Sequence, residues 1–425
     1  MPLSVPAHRI AAGVTYTGLT VPHLRTGLLR LHFYCPHSDR TAGLHELLTE
    51  LIPQTSAAYP TVRDMTRRLT SLYDTAFYAD IEHFGDWDDL CFTLSWLDDR
   101  FTGGESAAAQ ALDILRGCIL HPLLENGAFP SDLFEIAREN LLGDIDCEAD
   151  DRRGYARTQA DAMSYAGQPA AIPPLGTRDA AAQADSAAAY AAWQNLLQNA
   201  PAAVICVQPA ENPLPEETVT AVFAEIARTE PAAFTVISPA DPKQHPCMAE
   251  ENVCAAQTRL VMNLRDTGSD SDAAMLLNEL LGAMPDSLLL RNVRERYGQC
   301  YYCETGYSRC KQMLTIETAT ADAQLAQTRA AILHELDVLR SGDVSQRALQ
   351  AAKLHFAFEA AQCADSPEGL AEWLSDRALF HDERTPQQLC ADMEQVTAER
   401  IAQAARALVF DAQFTLHGIG EEAET

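Results

Sequence analysis

The sequence predicts an α+β fold with two similar domains, each an antiparallel-rich sheet covered by helices. The chain has 425 residues, more than one hydrophobic core usually supports. A helical pattern followed by antiparallel-strand patterns favours α+β over a wound parallel sheet. Both halves run strand, helix, strands, helices, strand, without close sequence identity. We therefore expect a duplicated architecture, with domains at 1–230 and 251–425 and a linker at 231–250.

The first half opens with a predicted β-hairpin and an amphipathic helix. Apolar residues predict strands at 10–19 and 26–34. Leucines recur at helical spacing over 41–52, and Pro53 is expected to end that helix. The other predicted elements of this half are a helix to residue 72, strands at 76–81 and 90–97, helices at 105–120 and 134–146, an alanine-rich helical stretch after 153, and a strand from 202.

A proline-dotted stretch separates the halves, and we interpret it as the interdomain linker. It contains Pro231, Pro239, Pro242 and Pro246 and follows a predicted helix at 216–229. The elements predicted after it are a strand at 257–264, a helix at 271–284, a short helix and strand within 288–303, a strand at 312–318, helices at 321–340, 344–363, 367–380 and 397–408, and a strand at 413–418.

The composition argues against several classes of partner. Lysine and arginine number 31 against 60 aspartates and glutamates, for a formal net charge of -29. Nucleic acid and anionic membrane surfaces would be repelled by this charge. No segment approaches eighteen uninterrupted apolar residues, and the N-terminal residues lack the pattern of an export signal. Twelve scattered cysteines fit reduced thiols. We therefore expect a cytoplasmic protein.

The segment 288–307 concentrates positive charge in this acidic chain. Leucines and Val293 give it a helical apolar face, while Arg291, Arg294 and Arg296 project elsewhere before Gly298 stops the helix. Such an arginine cluster can hold a carboxylate or peptide carbonyl groups. The alternative is that the arginines only offset the surrounding acidity.

This segment resembles a signature in the C-terminal half of pitrilysin/insulinase-type peptidases. Arg294 and Glu295 match its Arg-Glu pair, Gly298 its glycine, and Tyr301 its tyrosine. In that family the arginine and tyrosine hold the substrate backbone from the half opposite the zinc site. The resemblance therefore implies that Arg294 and Tyr301 bind a peptide substrate, within the duplicated, LuxS-metallohydrolase-like fold of the family.

The helix that carries zinc in active relatives lacks the required ligands here. A zinc peptidase needs two histidines one turn apart and a glutamate base, in this family as HxxEH. His45 fits neither HxxEH nor HExxH, because Thr49 stands where a second histidine is needed. With Gly43 as the family's leading glycine, the motif positions become Glu46, Thr49 and Glu50. We therefore predict degenerate metal positions, with no catalytic residue, metal or cofactor. We interpret His45 and Glu46 as an exposed helix face, with a residual metal site as the alternative.

Two further pairs of residues are of types that bind metals, but we favour a structural role for both. Active relatives take a third zinc ligand from the helix at 134–146, where Glu135 or Glu139 would stand; we interpret both as solvated helix positions. Cys300 and Cys303 form a CxxC pair without a second such pair downstream. A packing role is therefore favoured over a metal or redox role.

A second resemblance lies in the first half. The Tyr-Pro-Thr run at 59–61, the pair Leu72 and Tyr73, and Gly85 resemble the pattern of the zinc-free member of a bacterial two-protein insulinase-like set. That set is associated with aminopentanol modification of elongation factor P. The resemblance implies a catalytically inactive subunit, without activity alone, that pairs with a zinc-bearing homologue or self-associates.

Two other hypotheses stay open. A non-proteolytic scaffold would share the fold, as core subunits of respiratory complexes do within the resembled family. A zinc peptidase with an unusual site is disfavoured by the missing ligands.

Overall fold

A computed structural model describes residues 5–211, 213–238 and 241–420. Its two compact units are Met1–Asp146, Ile172–Val236 and Gln362–Thr385 for the first, and Cys147–Ala171, Ile237–Ala361 and Pro386–Thr425 for the second. Each unit thus takes one segment from the other half of the sequence. The contiguous division at 1–230, 231–250 and 251–425 stays a prediction about domains.

The described part of the chain is built from strands and helices in alternation. The strands are β1 (His8–Ala11), β2 (Val14–Val21), β3 (Thr26–Pro36), β4 (Ala76–Phe84), β5 (Trp87–Leu97), β6 (Ala202–Pro209), β7 (Cys247–Val253), β8 (Thr258–Asp266), β9 (Tyr302–Ser308), β10 (Met313–Thr320) and β11 (Leu408–Gly418). The α-helices are α1 (Ala42–Gln54), α2 (Val62–Ser71), α3 (Ala107–Leu120), α4 (Ser131–Cys147), α5 (Arg152–Ser164), α6 (Arg178–Gln183), α7 (Ser186–Asn199), α8 (Glu216–Ala224), α9 (Ser271–Asn278), α10 (Leu325–Ser341), α11 (Gln346–Gln362), α12 (Pro367–Phe380), α13 (Pro386–Glu394) and α14 (Ala398–Ala407). Two π-helical segments follow α9, at Glu279–Ala283 and Leu289–Arg296.

The two sheets share one strand plan. The first has the order β1-β2-β6-β3-β5-β4, and the second has β7-β11-β8-β10-β9. In each sheet the strand that closes the unit lies parallel to the strand that opens the shared plan, β6 beside β2 and β11 beside β7. The other neighbours in the two sheets are antiparallel. The duplication predicted from the order of elements is therefore present in the topology, with β1 as an addition to the first sheet.

The exchanged segments occupy equivalent places in the two units. In the first unit α12 packs on β3 and β6, with Leu370 and Leu374 buried against Leu28 and Ile205. In the second unit α5 packs on β8 and β11, where Ala156 and Ala160 pack among Val261 and Phe414. Both helices thus cover a sheet face that would otherwise leave apolar side chains in water.

The main core of the first unit lies on the other face of its sheet. Trp193 of α7 is fully buried and meets the rings of Phe33 and Phe92 edge-on, at centroid distances of 5.6 and 5.3 Å. Its indole N–H donates to the carbonyl oxygen of Ile119 at 3.3 Å. Helix α1 packs on this core through Leu47 and Leu48, so its polar residues lie close to the strands.

Some elements differ from the sequence prediction. Helix α1 includes Pro53 and ends at the next residue, Gln54, because the proline removes one backbone hydrogen bond from the last turn and leaves the earlier turns intact. Strand β7 begins inside the predicted linker, and α13 was not predicted. Pro239 lies outside the described residues. Among the helices of the described ranges, we find none with the length and apolar character needed to span a bilayer.

Candidate functional site

Helix α1 places the three degenerate metal positions at the border between core and solvent. The Thr49 hydroxyl donates to the backbone carbonyl oxygen of Glu46 at 2.7 Å. The carboxylate of Glu50 accepts from the side-chain amide of Asn140 on α4, at 3.2 Å. No imidazole stands at any of the three positions, and two of the three side chains already have partners within the protein. The arrangement does not offer the ligand set of a catalytic zinc.

The expectation that His45 and Glu46 form an exposed helix face is wrong for His45. This histidine is only 4% exposed, and Glu46 is half-buried. The Nδ1 atom of His45 lies 3.4 Å from Cys35 Sγ and 3.5 Å from Asp88 Oδ2. Strands β3 and β5 supply these polar neighbours, which spacing along α1 cannot reveal.

Asp88 of β5 is the centre of a cluster that brings together three histidines. Its side chain is fully buried. His83 Nδ1 contacts Asp88 Oδ1 at 2.6 Å in hydrogen-bonding geometry, and His37 Nδ1 lies 2.8 Å from the same oxygen. His45 approaches the other carboxylate oxygen. The three histidines come from β4, the loop after β3, and α1, so the fold rather than a local motif assembles the cluster.

The cluster shifts the pKa values of its members. Burial disfavours the charged form of Asp88, but the polar contacts with His37, His45 and His83 outweigh it and hold its pKa well below the usual range. Burial likewise lowers the pKa of His37, but Asp88 reverses this and leaves it raised. Burial, followed by the nearby Asp88 and Asp144 carboxylates, raises the pKa of Glu46 to about 8. Negative charge therefore concentrates on Asp88, and Glu46 is protonated at neutral pH.

A polar cavity of about 330 Å³ lies on the opposite face of the same sheet, under α12. His32 Nδ1 contacts Asp89 Oδ2 at 2.7 Å, and the Ser375 hydroxyl contacts His32 Nε2 at 3.0 Å. These three side chains are connected in the same order as a serine–histidine–aspartate catalytic triad. However, the Ser375 hydroxyl also lies 2.8 Å from the carbonyl oxygen of Ala371 in its own helix.

The surroundings of this cavity oppose oxyanion chemistry. Its lining carries one guanidinium, that of Arg30, against five carboxylates, those of Asp80, Glu82, Asp89, Glu372 and Asp376. Burial, and then these neighbouring carboxylates, raise the pKa of Glu82 to about 6. Developing negative charge would be repelled rather than stabilised here. We therefore assign the His32 contacts to the packing of α12 on the sheet.

The predicted substrate-binding residues lie on the surface of the second unit. Arg294 belongs to the π-helical segment Leu289–Arg296, which is anchored by buried Leu289 and Val293. Its guanidinium is exposed and makes no hydrogen bond or ion pair with the part of the chain that the structure describes. Tyr301 is 59% exposed, and its backbone N–H donates to the carbonyl oxygen of Ala319 at 2.8 Å. Both side chains are accessible to a ligand, while their substrate role stays a prediction.

The CxxC pair lies beside these residues. Cys303 is buried in β9, and Cys300 is half-buried just before that strand. A hydrogen bond with Cys303, with smaller contributions from Thr318 and Arg294, lowers the pKa of Cys300 to about 7. Cys300 is therefore partly thiolate at neutral pH. Glu135 and Glu139 of α4 are both exposed, which agrees with solvated helix positions.

Comparison with known proteins identifies the relatives of this chain. Residues 214–355 match the model of the Peptidase M16 inactive domain. This match lies within the second half of the chain. The probable inactive metalloprotease YmfF of Bacillus subtilis strain 168 is 22% identical over 413 residues, which cover 96% of each chain. The chain is accordingly similar to a probable inactive metalloprotease over nearly its whole length.

Solved structures confirm the fold. A conserved protein from Enterococcus faecalis V583 superposes with a TM-score of 0.89 at 20% identity, covering 99% of this chain and 100% of that one. A peptidase M16 inactive domain from Pseudomonas fluorescens superposes with a TM-score of 0.79 at 16% identity, covering 98% and 99%. The predicted α+β architecture of two sheets covered by helices is therefore confirmed.

Proposed function

We propose that this chain is a catalytically inactive M16-type subunit that binds peptide and pairs with a zinc-bearing homologue. One observation carries the proposal. The helix that would hold zinc offers Glu46, Thr49 and Glu50 in place of the motif, while Arg294 and Tyr301 are exposed. A chain with this combination can hold a substrate but lacks the means to hydrolyse it.

The division of labour has a physical basis. Zinc in the partner would polarise the scissile carbonyl and lower the pKa of a bound water. The guanidinium of Arg294 can donate to peptide carbonyl oxygens, and the phenol of Tyr301 can donate or accept beside it. Holding the backbone in one orientation lowers the entropic barrier of the reaction even though the holding groups take no part in bond cleavage.

Reconstitution with a zinc-bearing homologue tests the proposal. Arg294→Ala and Tyr301→Ala should each lower peptidase activity of the pair by about two or more orders of magnitude, as expected when positioning groups are lost. The matched controls are Arg347→Ala, at an exposed arginine of the second unit, and Tyr297→Ala, whose side chain is 52% exposed. Both controls should retain activity.

Unchanged activity in the Arg294 and Tyr301 variants would favour a non-proteolytic scaffold with the same fold. Size measurement of the isolated chain distinguishes self-association from dependence on a homologue. We place the subunit in the cytoplasm on its composition, and aminopentanol modification of elongation factor P is the first cellular process to test.

A further inference from the structure

We propose that His37, His83 and Asp88 bind one divalent transition-metal ion in the first unit. Its ligands are not the degenerate positions of α1, and the proposal does not depend on the proposed function. Spacing along one helix led us to expect no metal, whereas these ligands come from a loop and two strands. Their ligand atoms all lie within 4.8 Å of one another.

The three ligand atoms converge from rigid parts of the fold. Asp88 and His83 face each other across the β4-β5 hairpin, where they are paired in register. The backbone N–H of His37 donates to the carbonyl oxygen of Asp86 at 2.9 Å, which fixes the loop after β3 against the same hairpin. Three elements thus hold the ligands before any ion arrives, which lowers the entropic cost of binding.

The outer nitrogen of His37 has the kind of partner that metal-bound histidines have. His37 Nε2 lies 3.3 Å from the carbonyl oxygen of Ile172. Histidines that bind metal through one nitrogen usually donate the other N–H to a carbonyl or carboxylate oxygen. This arrangement leaves Nδ1 of His37 directed at Asp88 Oδ1, where Nδ1 of His83 also lies, at 2.6 Å.

An unpartnered nitrogen points to a cation. When the Nε2–H of His37 donates to Ile172, a neutral ring keeps its lone pair on Nδ1. That atom is buried and 2.8 Å from Asp88 Oδ1, yet it makes no hydrogen bond within the described residues. Two acceptors at this distance repel each other unless a proton or a metal ion lies close to both. A metal ion meets this need without the linear alignment that a hydrogen bond requires.

The ligand types select the class of ion. Two imidazole nitrogens and a carboxylate oxygen suit Zn²⁺, Co²⁺ or Ni²⁺, whereas Mg²⁺ and Ca²⁺ prefer all-oxygen sites. Asp88 is fully buried and His37 almost so, while His83 and Glu46 leave one side partly open. The bound ion would therefore link the β4-β5 hairpin to the loop that leads into α1.

Metal binding to the purified full chain tests the proposal. After chelator treatment and dialysis, Zn²⁺ or Co²⁺ is added, and bound metal is measured by mass spectrometry of the digested protein. We expect one metal ion bound per chain and, with Co²⁺, a visible absorption band of the kind that nitrogen ligands give. Zn²⁺ should raise the melting temperature of the protein, and Mg²⁺ should not. If the folded, unmutated chain does not bind the added metal at about one ion per chain, the proposal is overturned.

Variants assign the ligands. His37→Ala and His83→Gln should each weaken binding by at least about tenfold. His83 is partly exposed, so its glutamine variant should keep the fold, which circular dichroism verifies. His121→Ala is the control, because His121 is an exposed histidine of the same unit. Undiminished binding in His83→Gln refutes the site.

A second possible metal site lies next to this one, and a cysteine variant distinguishes the two. Cys35, His45 and Asp88 also lie within 4.8 Å of one another through single ligand atoms. Cys35→Ser should retain binding if the ion lies between His37 and His83. Loss of binding in Cys35→Ser but not in His37→Ala would place the ion elsewhere and overturn the assignment.

Discussion

The buried ion pair between Arg265 and Asp411 should be among the most sensitive points of the second unit. Arg265 of β8 is 1% exposed, and Asp411 of β11 is fully buried. The guanidinium lies 3.4 Å from the Asp411 carboxylate and donates to the Tyr165 hydroxyl at 2.9 Å. It also donates to the carbonyl oxygen of Lys311 at 3.2 Å. Arg265 thus joins two strands to the segment that follows α5.

Removing one member of this pair leaves the other charge buried without its partner. For Arg265→Met or Asp411→Leu alone, we expect a loss of about 3–5 kcal/mol in the free energy of unfolding. The double variant Arg265→Met/Asp411→Leu should lose clearly less than the sum, because no charge remains uncompensated. Glu399→Ala is the control, since its side chain is 62% exposed and its pair with Arg406 should contribute under about 1 kcal/mol.

Urea unfolding followed by far-ultraviolet circular dichroism measures these losses. Tryptophan fluorescence alone would miss them, because Trp87, Trp96, Trp193 and Trp373 all belong to the first unit. The reasoning is refuted if either single variant loses less than about 1 kcal/mol, or if the double variant loses the full sum of the two.

Three further outcomes follow from the packing and the thiols. Leu374→Ala should destabilise the first unit by about 2–5 kcal/mol, because it leaves a cavity where α12 packs on the sheet. Tryptophan fluorescence during urea unfolding measures this loss. Gly282→Ala should destabilise the second unit by about 1–3 kcal/mol in calorimetry, since a Cβ there would lie 2.7 Å from the backbone nitrogen of Thr305. Alkylation of Cys300, followed by peptide mass spectrometry, should rise with a midpoint near pH 7, because the pKa of Cys300 is lowered to about 7 and only the thiolate reacts. Cys303→Ala, which removes the hydrogen-bond donor, should move the midpoint upward, and an unchanged midpoint would contradict this.

The sequence was sufficient for the fold because local patterns determine most elements. Runs of apolar residues of strand length located β3 and β5, and leucine spacing located α1. Strand β7 was not predicted, and its residues Met248 to Glu251 are mostly polar or exposed. An edge strand with little buried surface gives no apolar alternation, so its pairing with β11 had no local signal.

The histidine cluster was missed for a different reason. A search for two histidines on one helix assumes that neighbours in space are neighbours in sequence, whereas His37 and His83 meet across a hairpin and a loop. One signal was present: Asp88 and Asp89 stand side by side in a strand that is otherwise apolar for most of its length. A strand buried on both faces must give each charge a partner.

Adjacent residues of a strand point to opposite faces, so the two aspartates must be satisfied by different layers of the unit. Asp88 faces α1, where His37, His45 and His83 surround it, and Asp89 faces α12, where His32 contacts it. The charge of one dipeptide therefore fixes polar groups on both sides of the sheet. Asp89→Asn should weaken the packing of α12 on the sheet and leave the proposed metal binding at Asp88 intact. Asp88→Asn should abolish the proposed metal binding and leave the packing of α12 intact. Comparing metal content and unfolding of the two variants tests whether the faces act independently.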